Sequence, residues 1–194
     1  MATPADTRSR LRGGDRLVAA LDEAIREGTV EEITARVKQS LSGLIREGIL
    51  ALHEEARRPQ GDGYARRLLH RSDELGYTVL AMIWGPEQGT PLHDHAGIWC
   101  VDGVLEGVVE VVQYELLAEE GDRCRFVRRE TVEAGVGTAG SLIPPFEYHT
   151  ITNPGAETSI TIHVYGGELD RCSVFVPEGE GWHRRETRDL AVDG

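Results

Sequence analysis

From residue 64 onward the chain is a succession of short β-prone runs broken by glycine, and this punctuation constrains the fold more than any other feature. The runs cover 64–69, 77–84, 98–105, 108–116, 125–132, 137–143, 149–152, 159–165 and 173–176. They are rich in Val, Ile, Thr and Tyr, and turns are marked at Gly76, Gly85, Gly89, Gly107, Gly121, Gly135 and Gly166-Gly167. Many short strands at this spacing predict a mainly β fold, a barrel or jelly roll. There is no internal repeat and no low-complexity stretch to point elsewhere.

The first third has a helical period instead. Asp15 is placed to cap a helix whose face is Leu17, Leu21, Ala24 and Ile25, ending at Gly28. Thr29-Val30-Glu31-Glu32 reads as a capping box. Ile33, Val37, Leu41, Leu44 and Ile45 then continue a stripe to Gly48. A short third helix is expected over 49–57, and 59–63 is a breaker cluster. The expected organisation is one domain: a flexible N-terminus at 1–14, helices packed on the barrel at 15–58, the barrel at 59–180 and a loosely held polar tail at 181–194.

A chain of 194 residues has room for one full core. Its formal net charge of −12 argues against nucleic acid as a partner, because a phosphate backbone needs a basic footprint. No apolar run is long enough for a membrane span, and Arg8, Arg10 and Arg12 are followed by none that would suit a secretory signal. Cys100, Cys124 and Cys172 are odd in number and far apart, which suits free thiols in a reducing cytoplasm.

Two histidines, His93 and His95, flank Asp94 just before the run at 98–105, and His149 opens a later one. In extended chain, residues i and i+2 face the same way. Neutral imidazole is a common metal ligand, so the three could form one facial site with positions left open for a substrate. Zinc is compatible with such a ligand set. Taken singly, each histidine has a plainer explanation. H-x-H pairs occur in polar loops, His149 could be a core or surface histidine, and His163 could be a buried one satisfied by Thr161 or by backbone. His53, His70 and His183 read as surface residues.

The stretches around these residues resemble the two motifs of the cupin superfamily, and more closely those of the type I cysteine dioxygenase family. The first motif is matched by His93 and His95, with Gly107 as its glycine. Cys100 stands where most cupins have glutamate, which is the mark of the cysteine dioxygenases. The second motif ends in H-x-x-x-N, matched by His149 and Asn153, whereas Phe146 departs from its usual glycine. Tyr64-Ala65-Arg66 resembles the family's Y-x-R, and Thr161-Ile162-His163-Val164-Tyr165 its S-x-H-x-Y, with threonine for serine. Cys172 falls where the family often has another cysteine. The resemblance runs from the N-terminal helices to about Phe175.

The resemblance implies a cupin-type β-barrel with N-terminal helices and Fe(II) held by His93, His95 and His149. It implies a small thiol and O2 as substrates, with both oxygen atoms added to sulfur to give a sulfinate. A site without a protein carboxylate has chemical sense here, because the substrate thiolate would supply the negative charge. Arg66 would bind the substrate carboxylate beside Tyr64. Thr161, His163 and Tyr165 would form a relay, and Cys100 could join Tyr165 in a thioether. Arg66 with Cys100 points to L-cysteine, with 3-mercaptopropionate as an alternative. Arg67 and His70 leave room for a thiol with a second carboxylate, such as mercaptosuccinate. Arg66 and Arg67 are adjacent, so on a strand only one faces inward, and the motif selects Arg66. Trp84, Ile83, Leu80, Val101, Ile143 and Ile162 are expected to line or support the barrel. The family also implies a monomer. The competing readings are another cupin reaction, such as a zinc or nickel isomerase or a dioxygenase of a carbon substrate, and a ligand-binding cupin module without turnover.

Overall fold

The computed structural model describes residues 10–58 and 63–193. Ten strands form two five-stranded antiparallel sheets. The first has the order β3-β4-β10-β5-β8, from Ala65–Ser72, Tyr77–Trp84, Ser159–Tyr165, Cys100–Glu106 and Ala139–Leu142. The second has the order β11-β12-β7-β6-β9, from Arg171–Gly179, Trp182–Asp189, Arg123–Gly135, Val108–Glu120 and His149–Thr152. The mainly β reading of the sequence is therefore observed, as a barrel of two facing sheets with helices on one outer face.

The alternation of side chains decides what each face does. Leu80, Met82, Trp84, Cys100, Val104 and Tyr165 of the first sheet cluster inside the barrel with Val109 and Ile151 of the second. Their neighbours Val79, Ala81, Ile83, Val101, Ile162 and Val164 point outward, under the helices. β4 and β10 are buried at every position for this reason; β4 is apolar at nearly every one, whereas β10 alternates Ile160, Ile162 and Val164 with the buried polar Ser159, Thr161 and His163. The set expected to line or support the barrel divides accordingly. Leu80 and Trp84 line it, whereas Ile83, Val101 and Ile162 belong to the helix-facing core.

Helix α1 spans Gly14–Ile25 and buries Leu17, Leu21 and Ala24. Its N-cap is Gly13, so Asp15 sits in the first turn, where a carboxylate favours the helix dipole. Helix α2 spans Val30–Arg46 and starts at the expected capping box, Thr29 N donating to Glu32 Oε2 at 2.9 Å. It lies directly on β5. A Cβ at Gly103 would come within 2.9 Å of Leu41, so glycine lets the helix approach. Burying a leucine of this kind contributes roughly 1.5–3 kcal/mol.

Two further expectations fail. The third helix over 49–57 is instead the strand β2 (Ala51–Leu52) and a 3-10 turn at Glu54–Ala56. Leu50 and Leu52 are buried on either side of the less buried Ala51, a period of two, and β2 pairs with β1 (Leu11–Arg12). That pairing also gives 10–14 regular structure, while 1–9, most of the expected flexible N-terminus, lies outside the described residues. So does 59–62 of the breaker cluster. The polar tail is the second departure. Its residues are β12, which pairs with both β11 and β7. A polar strand is stable there because its apolar partners lie on its neighbours.

Candidate metal centre

His93, His95 and His149 each bring a ring nitrogen into one group, all within 4.8 Å of one another. The two histidines before the run at 98–105 do not belong to one continuous strand with it. Ala96 and Gly97 adopt left-handed conformations (φ 53° and 82°), and β5 starts only at Cys100. The segment 89–95 lies instead between β9 and β11. His93 N donates to His149 O at 3.2 Å, and Phe175 N donates to Leu92 O at 2.9 Å. Gly89 permits the approach to β9, because a Cβ there would meet Ile151 O at 2.5 Å. Asp94, between the two histidines, accepts from Ser173 N at 2.8 Å and so pins the segment to β11. His93 and His95 still point to one side, with ring centroids 5.2 Å apart.

The hydrogen bonds fix the chemistry of the rings. His93 Nδ1 lies 3.0 Å from Pro91 O, which can only accept, so Nδ1 carries the proton. The lone pair on Nε2 then faces inward, 3.2 Å from His149 Nε2. Burial disfavours imidazolium, pushing His93 down to about 3 and His149 well below its ordinary value. His149 Nδ1 and His95 Nδ1 are buried without a hydrogen-bond partner among the described residues. Three rings with nitrogens converging within 4.8 Å fit a divalent cation, which these residues would hold.

The structure brings Thr161, His163 and Tyr165 together. Trp84 Nε1 donates to Thr161 Oγ1 at 2.9 Å, and Thr161 Oγ1 lies 2.7 Å from His163 Nε2. Tyr165 Oη lies 3.3 Å from His163 Nδ1. Trp84 can only donate, so the threonine proton is available to His163 Nε2 and the Nδ1 proton to Tyr165 Oη. Burial holds His163 neutral, down to about 3. Cys100 pairs with Tyr165 in the strand register, and its Sγ lies 3.9 Å from His163 Nδ1. Burial pushes the Cys100 thiol and the Tyr165 phenol up, so both are protonated at neutral pH. All three cysteines are free and buried.

One cavity contains the three histidines together with Arg66, Tyr64, His163, Tyr165 and Cys172. Arg66 is therefore the inward arginine. Its Nη1 donates to Ala191 O at 3.1 Å and its Nη2 to Leu169 O at 3.2 Å. Tyr64 stacks on Trp84 with centroids 4.5 Å apart. Arg67 points away and donates to Arg58 O, and His70 packs on Tyr77, so neither lines the cavity. Phe146 is exposed in a short turn in which its N donates to Ile143 O at 2.9 Å. Its departure from glycine therefore leaves His149 in place.

Sequence reasoning missed three residues. Glu147 is buried, accepts from His95 N at 2.7 Å and stands 3.6 Å from His95 Nδ1. Its place two residues before His149 was the available signal. Arg188 lines the cavity from β12, the strand read as tail. Asp102 lines a second cavity of about 190 Å³, walled by Val104, Val109, Val111, Val132 and Leu142, which reaches His149 from another side.

Two facing antiparallel sheets form a β-barrel that carries a three-histidine group as a candidate metal site. Solved structures of three proteins are similar to parts of this chain. An uncharacterised conserved protein with a double-stranded β-helix domain from Klebsiella pneumoniae is 20% identical, over 58% of this chain and 79% of that one, with a TM-score of 0.45. An RmlC-like cupin protein from Desulfovibrio desulfuricans is 19% identical, over 60% and 94%, with a TM-score of 0.43. An oxalate oxidase is 17% identical, over 64% and 63%, with a TM-score of 0.47. No family model matches the chain.

Proposed function

We propose that the protein is an Fe(II)-dependent thiol dioxygenase that adds both atoms of O2 to the sulfur of a small carboxylate-bearing thiol. The observation that carries this reading is the single cavity holding His93, His95 and His149 beside Arg66 and Tyr165. Bound iron would supply the redox chemistry that allows O2 to react with a thiolate. The three neutral imidazoles leave the cation's charge uncompensated, which favours an anionic sulfur. Arg66, buried and held by two carbonyls, offers its remaining N–H groups to a carboxylate. The His163 contact orients the Tyr165 hydroxyl, and the apolar wall of Met82, Trp84, Ile151 and Leu169 limits water.

By resemblance L-cysteine is the first thiol to try, with 3-mercaptopropionate and mercaptosuccinate as alternatives and Cys100–Tyr165 as a possible thioether pair. The same reading expects a cytoplasmic monomer acting on a diffusible thiol, not on nucleic acid or a membrane. Among the described residues no helix is long and apolar enough to cross a membrane. Oxygen uptake by the iron-loaded protein with each of the three thiols, with the product identified by mass, tests the proposal. A gain of two oxygen atoms on the thiol is expected. No uptake with any of them removes the dioxygenase reading.

A further inference from the structure

The wall of the metal cavity includes Arg66 and Arg188 and, among the described residues, no aspartate or glutamate. In a chain with 33 acidic and 21 basic residues this runs against the overall balance. The register explains how Arg188 reaches the site. It pairs with Cys172 across β11 and β12, and paired residues in an antiparallel ladder share a face. Cys172 is buried against the cavity, so Arg188 emerges at the same wall, nearer solvent. Arg66 comes to this wall through its bonds to Leu169 O, just before β11, and Ala191 O, just after β12. Neither guanidinium makes an ion pair with a described residue, and Arg188 makes no hydrogen bond to one.

We propose that Arg66 and Arg188 form a two-cation clamp that selects a thiol bearing two carboxylates. Arg66, buried and held by two carbonyls, takes the deeper carboxylate, and Arg188, exposed to solvent, takes the outer one. This rests on the thiol dioxygenase reading and narrows its substrate class. Cysteine fits the clamp less well, because its ammonium meets no carboxylate on this wall. The second carboxylate assigned from sequence to Arg67 and His70 goes instead to Arg188, since those two side chains lie elsewhere.

The test uses thiol-free probes, so that it does not depend on turnover. Calorimetry on the iron-loaded protein compares succinate with propionate, which differ by one carboxylate. Succinate is expected to bind roughly tenfold more tightly, and R188Q to lose that preference while R188K retains part of it. Equal binding by the wild type, or an undiminished preference in R188Q, overturns the clamp. In parallel, the ratio of kcat/KM for mercaptosuccinate over 3-mercaptopropionate should fall about tenfold in R188Q. If no thiol is oxidised but the succinate preference is present and lost in R188Q, the clamp stands and the dioxygenase reading fails.

Discussion

Glu147 touches His95 from behind, through the backbone N–H at 2.7 Å and the ring at 3.6 Å, and so fixes a candidate ligand without being one. Outer groups of this kind govern metal affinity as much as orientation. Glu147→Gln is expected to weaken metal retention about 10–100-fold in a chelator competition while far-UV circular dichroism stays unchanged. Asp102 gives a different residue-scale prediction. Enclosure by the barrel walls raises its carboxyl from 3.8 to about 6, so the folded protein holds a proton that the unfolded chain releases near 4. Its contribution to stability is complete below the unfolded value and is lost as pH rises through about 6. Asp102→Asn removes that loss. Denaturation of the two proteins should give nearly equal stabilities at pH 4 and an advantage for the variant of about 1–2 kcal/mol at pH 8, solvent reaching through the second cavity keeping it below the full linkage value. A variant advantage that does not grow between these pH values would count against an enclosed acid.

At the scale of elements, β12 and the residues after it complete one wall of the cavity that holds the three histidines. Asp193 Oδ2 accepts from Arg66 N at 2.7 Å and Asp193 N donates to Arg66 O at 2.8 Å, holding β3 against the end of the barrel. Asp193→Ala should raise KM for a carboxylate-bearing thiol several-fold with less effect on kcat, because Arg66 loses its support but remains present. An unchanged KM would show that Leu169 and the rest of the wall suffice. The same strand marks the limit of what the sequence reveals. β4, β9 and β10 were legible at their observed bounds, β4 as an apolar run between Gly76 and Gly85, and β9 and β10 as short runs rich in Ile, Val and Thr. β12 reads Trp-His-Arg-Arg-Glu-Thr-Arg-Asp and carries almost no hydrophobic signal, so its pairing and Arg188 could be seen only in three dimensions. β2 was misread because Leu50 and Leu52 suit either a helix or a short strand, and its partner Leu11–Arg12 lies far away in sequence. The three histidines were legible through spacing, and Arg66, Thr161, His163 and Tyr165 through the resemblance to family motifs; Glu147, whose partner His95 lies 52 positions earlier, was not.

Over the whole molecule, the first sheet separates two apolar clusters, one under the helices and one inside the barrel. Leu41 of α2 is fully buried against Gly103, so Leu41→Ala should cost about 2–5 kcal/mol in urea denaturation. Thiol oxidation by the folded fraction should persist, because the helical core is on the far side of β5 from the metal cavity. A parallel loss of activity in protein that is still folded would mean that the helices shape the site. The way Arg66 is held has a further consequence, for the order in which the molecule becomes competent during synthesis. Its two carbonyl partners are made 103 and 125 positions after it, and the carboxylate that fixes its backbone 127 positions after it. The last of the three histidines, His149, precedes all of these. A growing chain therefore possesses every candidate metal ligand well before it can grip an anion, so metal loading can come first, with substrate binding withheld until the barrel is closed.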